Sequence, residues 1–146
     1  MNEYDTRGLR VMVVENDRAV LEMIQIRLDV AGYATTPART GRQALETLRT
    51  FRPSALVIDL NLPDISGIEV LRYLNPRSPA TIPALITGRG LSAAQVQEAV
   101  KFGARDCLAK PFAGADVLTR IQRMLKRPTP GLVAPPPVIE RQSAFV

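Results

Sequence analysis

The chain has 146 residues, 46% hydrophobic and 23% charged, with a formal net charge of +5, one cysteine and no histidine. That is length enough for one domain with a real core, and the absence of any run near the roughly 18 apolar residues of a membrane span, the polar N-terminal stretch and the lone cysteine exclude a spanning helix, a secretory leader and an internal disulfide, as suits a reducing cytoplasm. Without histidine the commonest metal ligand and general base are missing, and the sixteen arginines are scattered as on solvated helix faces, with no nucleic-acid-binding motif, so direct nucleic-acid binding is not expected.

The first element is the apolar run Val11 to Val14, which reads as a strand buried on both faces and ends on Glu15-Asn16-Asp17. Leu21, Ile24, Leu28 and Ala31 then repeat at helical spacing, with Asp17 placed to cap the helix and Gly32 to stop it. Tyr33 to Thr36 is a short second strand, followed by a helix carrying Leu45, Leu48 and Phe51 that Pro53 ends. The third strand, Ala55 to Asp59, runs into the turn-rich Asn61-Leu62-Pro63-Asp64-Ile65-Ser66-Gly67 and a helix with Ile68, Leu71 and Leu74 inward. After the loop Pro76 to Pro79 come a fourth strand, Pro83 to Thr87, and a helix capped by Ser92 with Val96, Ala99 and Val100 inward, closed by Gly103. The fifth strand, Asp106 to Ala109, stops at Lys110-Pro111, and a last helix runs from Ala113 to about Arg127 with Val117, Ile121 and Met124 inward.

Strands alternating with helices predict an α/β fold, a doubly wound parallel sheet of five strands covered by five helices with right-handed crossovers. In such a sheet the carboxyl ends of the strands share one rim, where ligands bind. Two carboxylates and a lysine that are distant in the chain therefore meet there, an arrangement suited to a divalent metal and a phosphoryl group. Residues 1–127 form this domain. From Pro128 to Val146 the chain is Pro-rich and aperiodic, and it is expected to be an extended, flexible tail: a linker, a docking peptide or a remnant.

Four motifs in order, Val-Val-Glu-Asn-Asp, Val-Ile-Asp-Leu-Asn-Leu-Pro-Asp-Ile-Ser-Gly, Leu-Ile-Thr-Gly and Ala-Lys-Pro-Phe, stand at the predicted strand ends. Together they resemble the receiver domain of two-component response regulators, over about residues 9 to 126. The resemblance implies a flavodoxin-like strand order 2-1-3-4-5 and a cytoplasmic signalling module that catalyses only its own phosphorylation and slow dephosphorylation. Asp59 would be the phosphoacceptor, taking a phosphoryl group from a sensor histidine kinase or a histidine phosphotransfer protein. Thr87 and Lys110 would bind phosphoryl oxygens, and the peptide before Pro111 would be cis. Mg²⁺ would be held by Glu15, Asn16, Asp59 and the backbone carbonyl of Asn61, directly or through water. Phosphorylation would switch a surface for a downstream protein or a second copy of the chain; no membrane partner is implied.

Two positions depart from the family pattern. Asn16 stands where the second of two adjacent acids is usual, which predicts weaker metal binding unless Asp17 turns inward; capping is the preferred role for Asp17. Cys107 holds the switch position of a Tyr or Phe, so the aromatic relay is in doubt, and the thiol is either buried and inert or a redox sensor. A pseudo-receiver, acting as a phosphorylation-independent interaction module, is the alternative reading. A flavodoxin-like FMN protein lacks its Ser/Thr/Gly-rich loop here, and an aspartyl-phosphate hydrolase lacks its Asp-x-Asp.

Overall fold

The computed structural model describes residues 5–77 and 80–127. The strands are β1 (Arg10–Val14), β2 (Ala34–Ala38), β3 (Ala55–Asp59), β4 (Ala84–Gly88) and β5 (Ala104–Ala109), alternating with α1 (Arg18–Val30), α2 (Gly41–Leu48), α3 (Gly67–Leu74), α4 (Ala93–Lys101) and α5 (Gly114–Met124). All strand pairs are parallel and the sheet order is β2-β1-β3-β4-β5, as expected. The predicted tail, 128–146, and part of the Pro76 to Pro79 loop lie outside the described residues.

Alternation along each strand sorts the apolar residues into two layers. Met12, Val14, Leu56, Ile58 and Ile86 face α2, α3 and α4, packing with Leu71, Leu74 and Ala99. Val11, Val13, Val57 and Leu85 face α1 and α5, packing with Leu21, Ile24, Leu28, Val117 and Ile121. Because both faces are covered, β3 and β4 are buried at every residue, and their sequences are near-continuous apolar runs.

Several boundaries differ from expectation, each for a local reason. β2 runs on through Pro37 to Ala38; it is an edge strand paired only with β1, where a residue without an N–H is tolerated. α2 ends at Leu48, so Phe51 lies beyond it, held against the core with the Arg10 guanidinium 4.8 Å from its ring centre. Val100 is 57% exposed rather than inward, since Ala99 is the buried residue of α4. α5 ends at Met124, short of Arg127.

Two side-chain networks tie down the edge opposite the strand carboxyl ends. Buried Asn75, just after α3, donates to the carbonyls of Ile82 (2.8 Å) and Phe102 (2.9 Å) and accepts from the amides of Thr81 (3.2 Å) and Ile82 (3.1 Å). Its amide is thereby satisfied on both sides. At the other network the Asp5 N–H donates to the Arg127 carbonyl at 2.7 Å, the Arg127 guanidinium donates to the Arg7 carbonyl, and Arg7 pairs with the Asp5 carboxylate at 2.9 Å. Asn75→Ala is expected to lower stability by about 3 kcal/mol, since it strands buried donors and acceptors that cost roughly 1–3 kcal/mol each when unpaired; urea unfolding monitored by circular dichroism measures the loss.

Candidate functional site

Four of the five strands that end on this rim deliver a polar residue to it. β1 is followed by Glu15, β3 ends in Asp59, and Thr87 precedes the last residue of β4. Lys110 follows β5, across a cis peptide bond to Pro111, as expected. Register makes Asp59 and Thr87 direct neighbours on adjacent strands. Gly67 opens α3 so close to β3 that a Cβ there would lie 2.7 Å from the Asp59 carbonyl oxygen, which keeps the loop after Asp59 tight against the strand.

The Lys110 ammonium joins the carboxylates. Its Nζ lies 2.6 Å from Asp59 Oδ2, and 2.8 and 3.0 Å from Glu15 Oε1 and Oε2. Both carboxylates are buried, with Glu15 only 2% and Asp59 4% exposed, so the cation between them offsets their repulsion and desolvation. Burial pulls the lysine toward neutrality, but its hydrogen bonds to Asp59 and Glu15 and their charges outweigh this, and it titrates above the ordinary value of 10.5. Asp59 Oδ1 accepts the Asn61 N–H at 2.7 Å, and Glu15 Oε2 accepts the Asp17 N–H at 3.0 Å. Glu15 Oε1 is near Nζ but off the hydrogen-bond direction. Among the described residues it is the one buried side-chain N or O atom without a hydrogen-bond partner.

A cavity of about 240 Å³ opens over these groups, lined by Glu15, Asn16, Asp17, Asp59, Asn61, Arg89 and Lys110. Its donors fit a hydrated divalent cation. Oε1 of Glu15 has unclaimed lone pairs and Asp59 supplies a second carboxylate. Among the described residues no group of three His, Cys, Asp or Glu side chains is placed to hold a metal, so amide or carbonyl oxygens and water must complete the shell.

Of the residues singled out from sequence, Glu15, Asn16, Asp59, Asn61 and Lys110 meet at this cavity. Thr87 is buried beside Asp59 without lining it. Asn16 turns its amide nitrogen to the Arg39 carbonyl, 3.0 Å away. Asp17 caps α1, accepting the Val20 N–H at 3.1 Å. Cys107 lies away from the cavity, half-buried against the α2, α3 and α4 layer. Burial and the Asp106 charge push its thiol up against the opposing pull of Arg120. Sequence reasoning missed Arg89, whose backbone N–H donates to Asn61 Oδ1 at 2.9 Å and joins the loops after β3 and β4. Its position two residues after a strand-end threonine was the available signal.

Comparison with known proteins gives a consistent picture. The family model for the response regulator receiver domain matches residues 11–122. A curated relative, the response regulator MprA of Mycolicibacterium vanbaalenii, is 36% identical over 122 residues, covering 84% of this chain and 52% of its own length. The chain thus spans about half the length of the curated relatives it matches. Among solved structures, the chemotaxis response regulator CheY4 of Vibrio cholerae superposes with a TM-score of 0.71 at 29% identity, over 80% of this chain and 98% of that one. A CheY-like receiver domain protein of Methanospirillum hungatei shares the fold, with a TM-score of 0.74 at 24% identity over 80% of this chain and 93% of its own. On the motifs at its strand ends, its sheet order and this match, the chain belongs to the response regulator receiver domain family.

Proposed function

We propose that residues 1–127 form a phosphoacceptor receiver that takes a phosphoryl group onto Asp59 from a sensor histidine kinase or a histidine phosphotransfer protein in the cytoplasm, and then switches a protein-binding surface. One observation carries this reading: the Asp59 carboxylate stands at a strand end, bonded to an ammonium and beside a second carboxylate, under an open cavity. An oxygen of Asp59 attacks phosphorus as the donor's P–N bond breaks and the imidazole leaves. The Lys110 ammonium, already at that oxygen, neutralises charge on a phosphoryl oxygen, and the Thr87 hydroxyl donates to another. Mg²⁺ would be held by Glu15, Asp59 and the Asn61 carbonyl, with Asn16 reached directly or through water. When bound, it offsets repulsion between the carboxylates and the arriving phosphate. The tail, 128–146, is read as a flexible linker or docking segment.

The test is the intact mass of the protein after incubation with Mg²⁺ and acetyl phosphate. The wild type is expected to gain one phosphoryl group, and neither Asp59→Asn nor the wild type in excess EDTA to gain any; no gain by the folded wild type leaves the phosphorylation-independent module as the better reading. Asn16→Asp is expected to tighten Mg²⁺ binding roughly tenfold in a calorimetric titration, because a unit charge about 4 Å away contributes ~1–4 kcal/mol between water and a protein surface. Lys110→Met is expected to cost about 3 kcal/mol of stability near neutral pH by leaving two buried carboxylates unpaired. Because the folded-state pKa of Lys110 is raised above 10.5, its contribution is complete below that pH and lost as pH rises through the folded value. The gap between wild type and variant in urea unfolding should therefore close only in strong alkali; a gap that closes below pH 10 contradicts this assignment.

A further inference from the structure

Of the loops that bring polar groups to the cavity, the two after β1 and β3 are bonded to one place, the start of α2. In the loop after β1, the Asn16 carbonyl accepts Nε and Nη2 of Arg39 at 3.2 and 2.8 Å, while the Asn16 amide donates back to the Arg39 carbonyl. In the loop after β3, the Asp64 carboxylate accepts the N–H groups of Gly41 at 2.9 Å and Arg42 at 2.8 Å, the first two residues of the helix. Hydrogen bonds from these amides hold Asp64 against the opposing effect of burial at a pKa of about 2, so the tie is charged throughout the physiological range. The fit is also steric: a Cβ on Gly41 would come within 2.3 Å of Ile65 Cγ1. A shift of either loop is thus delivered to Arg39-Thr40-Gly41-Arg42.

Grooves flank α2 on both sides. One, of about 440 Å³, includes Arg18, Glu22, Pro37, Arg39 and Gln43 in its walls; the other, of about 430 Å³, is lined by Arg42, Leu45, Glu46, Arg49 and Tyr73. Tyr73 is half exposed, and Leu45 is partly buried beside it. Among the described residues Arg18, Arg39 and Arg42 have no carboxylate partner, whereas Arg49 pairs with Glu46 at 3.2 Å. The guanidiniums therefore outnumber the acids along this face; Arg39 is engaged by the Asn16 carbonyl and Arg49 by Glu46, while those of Arg18 and Arg42 can meet carboxylates from outside. On the opposite flank Cys107 offers no ring to move, and Asp106 is already paired with Arg120.

We infer that α2 and its two grooves are the surface on which this domain reports the state of its cavity, and that they take an acidic protein segment with an apolar residue seated against Leu45 and Tyr73. The inference rests on the phosphoacceptor reading and adds the route and the partner's chemistry. The test uses amide NMR spectra of the full chain with Mg²⁺ before and after beryllofluoride is added as a phosphoryl mimic. Shifts are expected at Asp59 and Thr87 and, of comparable size, at 39–43, exceeding those at 103–109. In Arg39→Ala/Asp64→Ala the shifts at 39–43 should vanish while those at Asp59 and Thr87 stay; if that variant fails to fold, Arg39→Lys/Asp64→Asn serves, with the 39–43 shifts reduced. A fluorescein-labelled peptide of repeated Glu-Glu-Leu should bind about threefold more tightly with the mimic present, and roughly tenfold more weakly to Arg42→Glu/Arg49→Glu. Cavity shifts without α2 shifts, α2 shifts that survive both loop variants, or peptide binding indifferent to the arginine reversal would each overturn the inference. Absence of any shift at Asp59 and Thr87 strikes the phosphoacceptor reading itself, and the inference falls with it.

Discussion

Everything at the rim depends on one ammonium shared between two buried carboxylates. Parallel pairing of β1 with β3 forces Glu15 and Asp59 onto the same edge, one strand spacing apart, where two like charges removed from water repel strongly. Lys110 comes from the far side, beyond β5, and its stem has to cross the end of β4 to reach them. Its backbone is held to that strand: Gly88 pairs with Ala109, and the Gly88 carbonyl accepts the Lys110 N–H at 3.0 Å. Topology creates the electrostatic problem, and a lysine placed just after β5 answers it.

The parts of this design that were legible in the sequence are those governed by burial. β3 and β4 are all apolar up to their last polar residues, so their ends, and hence Asp59 and Thr87, could be read off directly. Glu15 followed by the same logic after β1, and Lys110 after the short run Cys107 to Ala109, although β5 itself starts two residues earlier than expected, at Ala104, because its Arg105 and Asp106 break the apolar pattern. The edge strand β2, Ala-Thr-Thr-Pro-Ala, has no such signature, and its end was misjudged. So was the end of α2, because Phe51 keeps helical spacing and is buried for a different reason, against a cation and the core. The ties of Asn16 to Arg39 and of Asp64 to α2 were illegible. They join loops more than twenty residues apart through side-chain to backbone bonds, which no periodicity announces.

Those ties also give the departure at Asn16 a physical meaning. A carboxylate in its place would add charge to a cation site, but it has no N–H with which to approach a carbonyl oxygen. The amide gives up that charge and in return closes a reciprocal bond with the backbone of the loop before α2. On the other flank Cys107 packs, half-buried, against the layer under α2, α3 and α4.

The strap of Asp5, Arg7 and Arg127 has a mechanical consequence. It binds the segment entering β1 to the segment leaving α5 at the edge opposite the cavity, so Asp5 and Arg127 are held side by side. A load applied between them falls on this knot of backbone and ionic bonds as well as on β1. An attachment made through residue 127 is accordingly made at the edge opposite the cavity, like a socket mounted by its back plate.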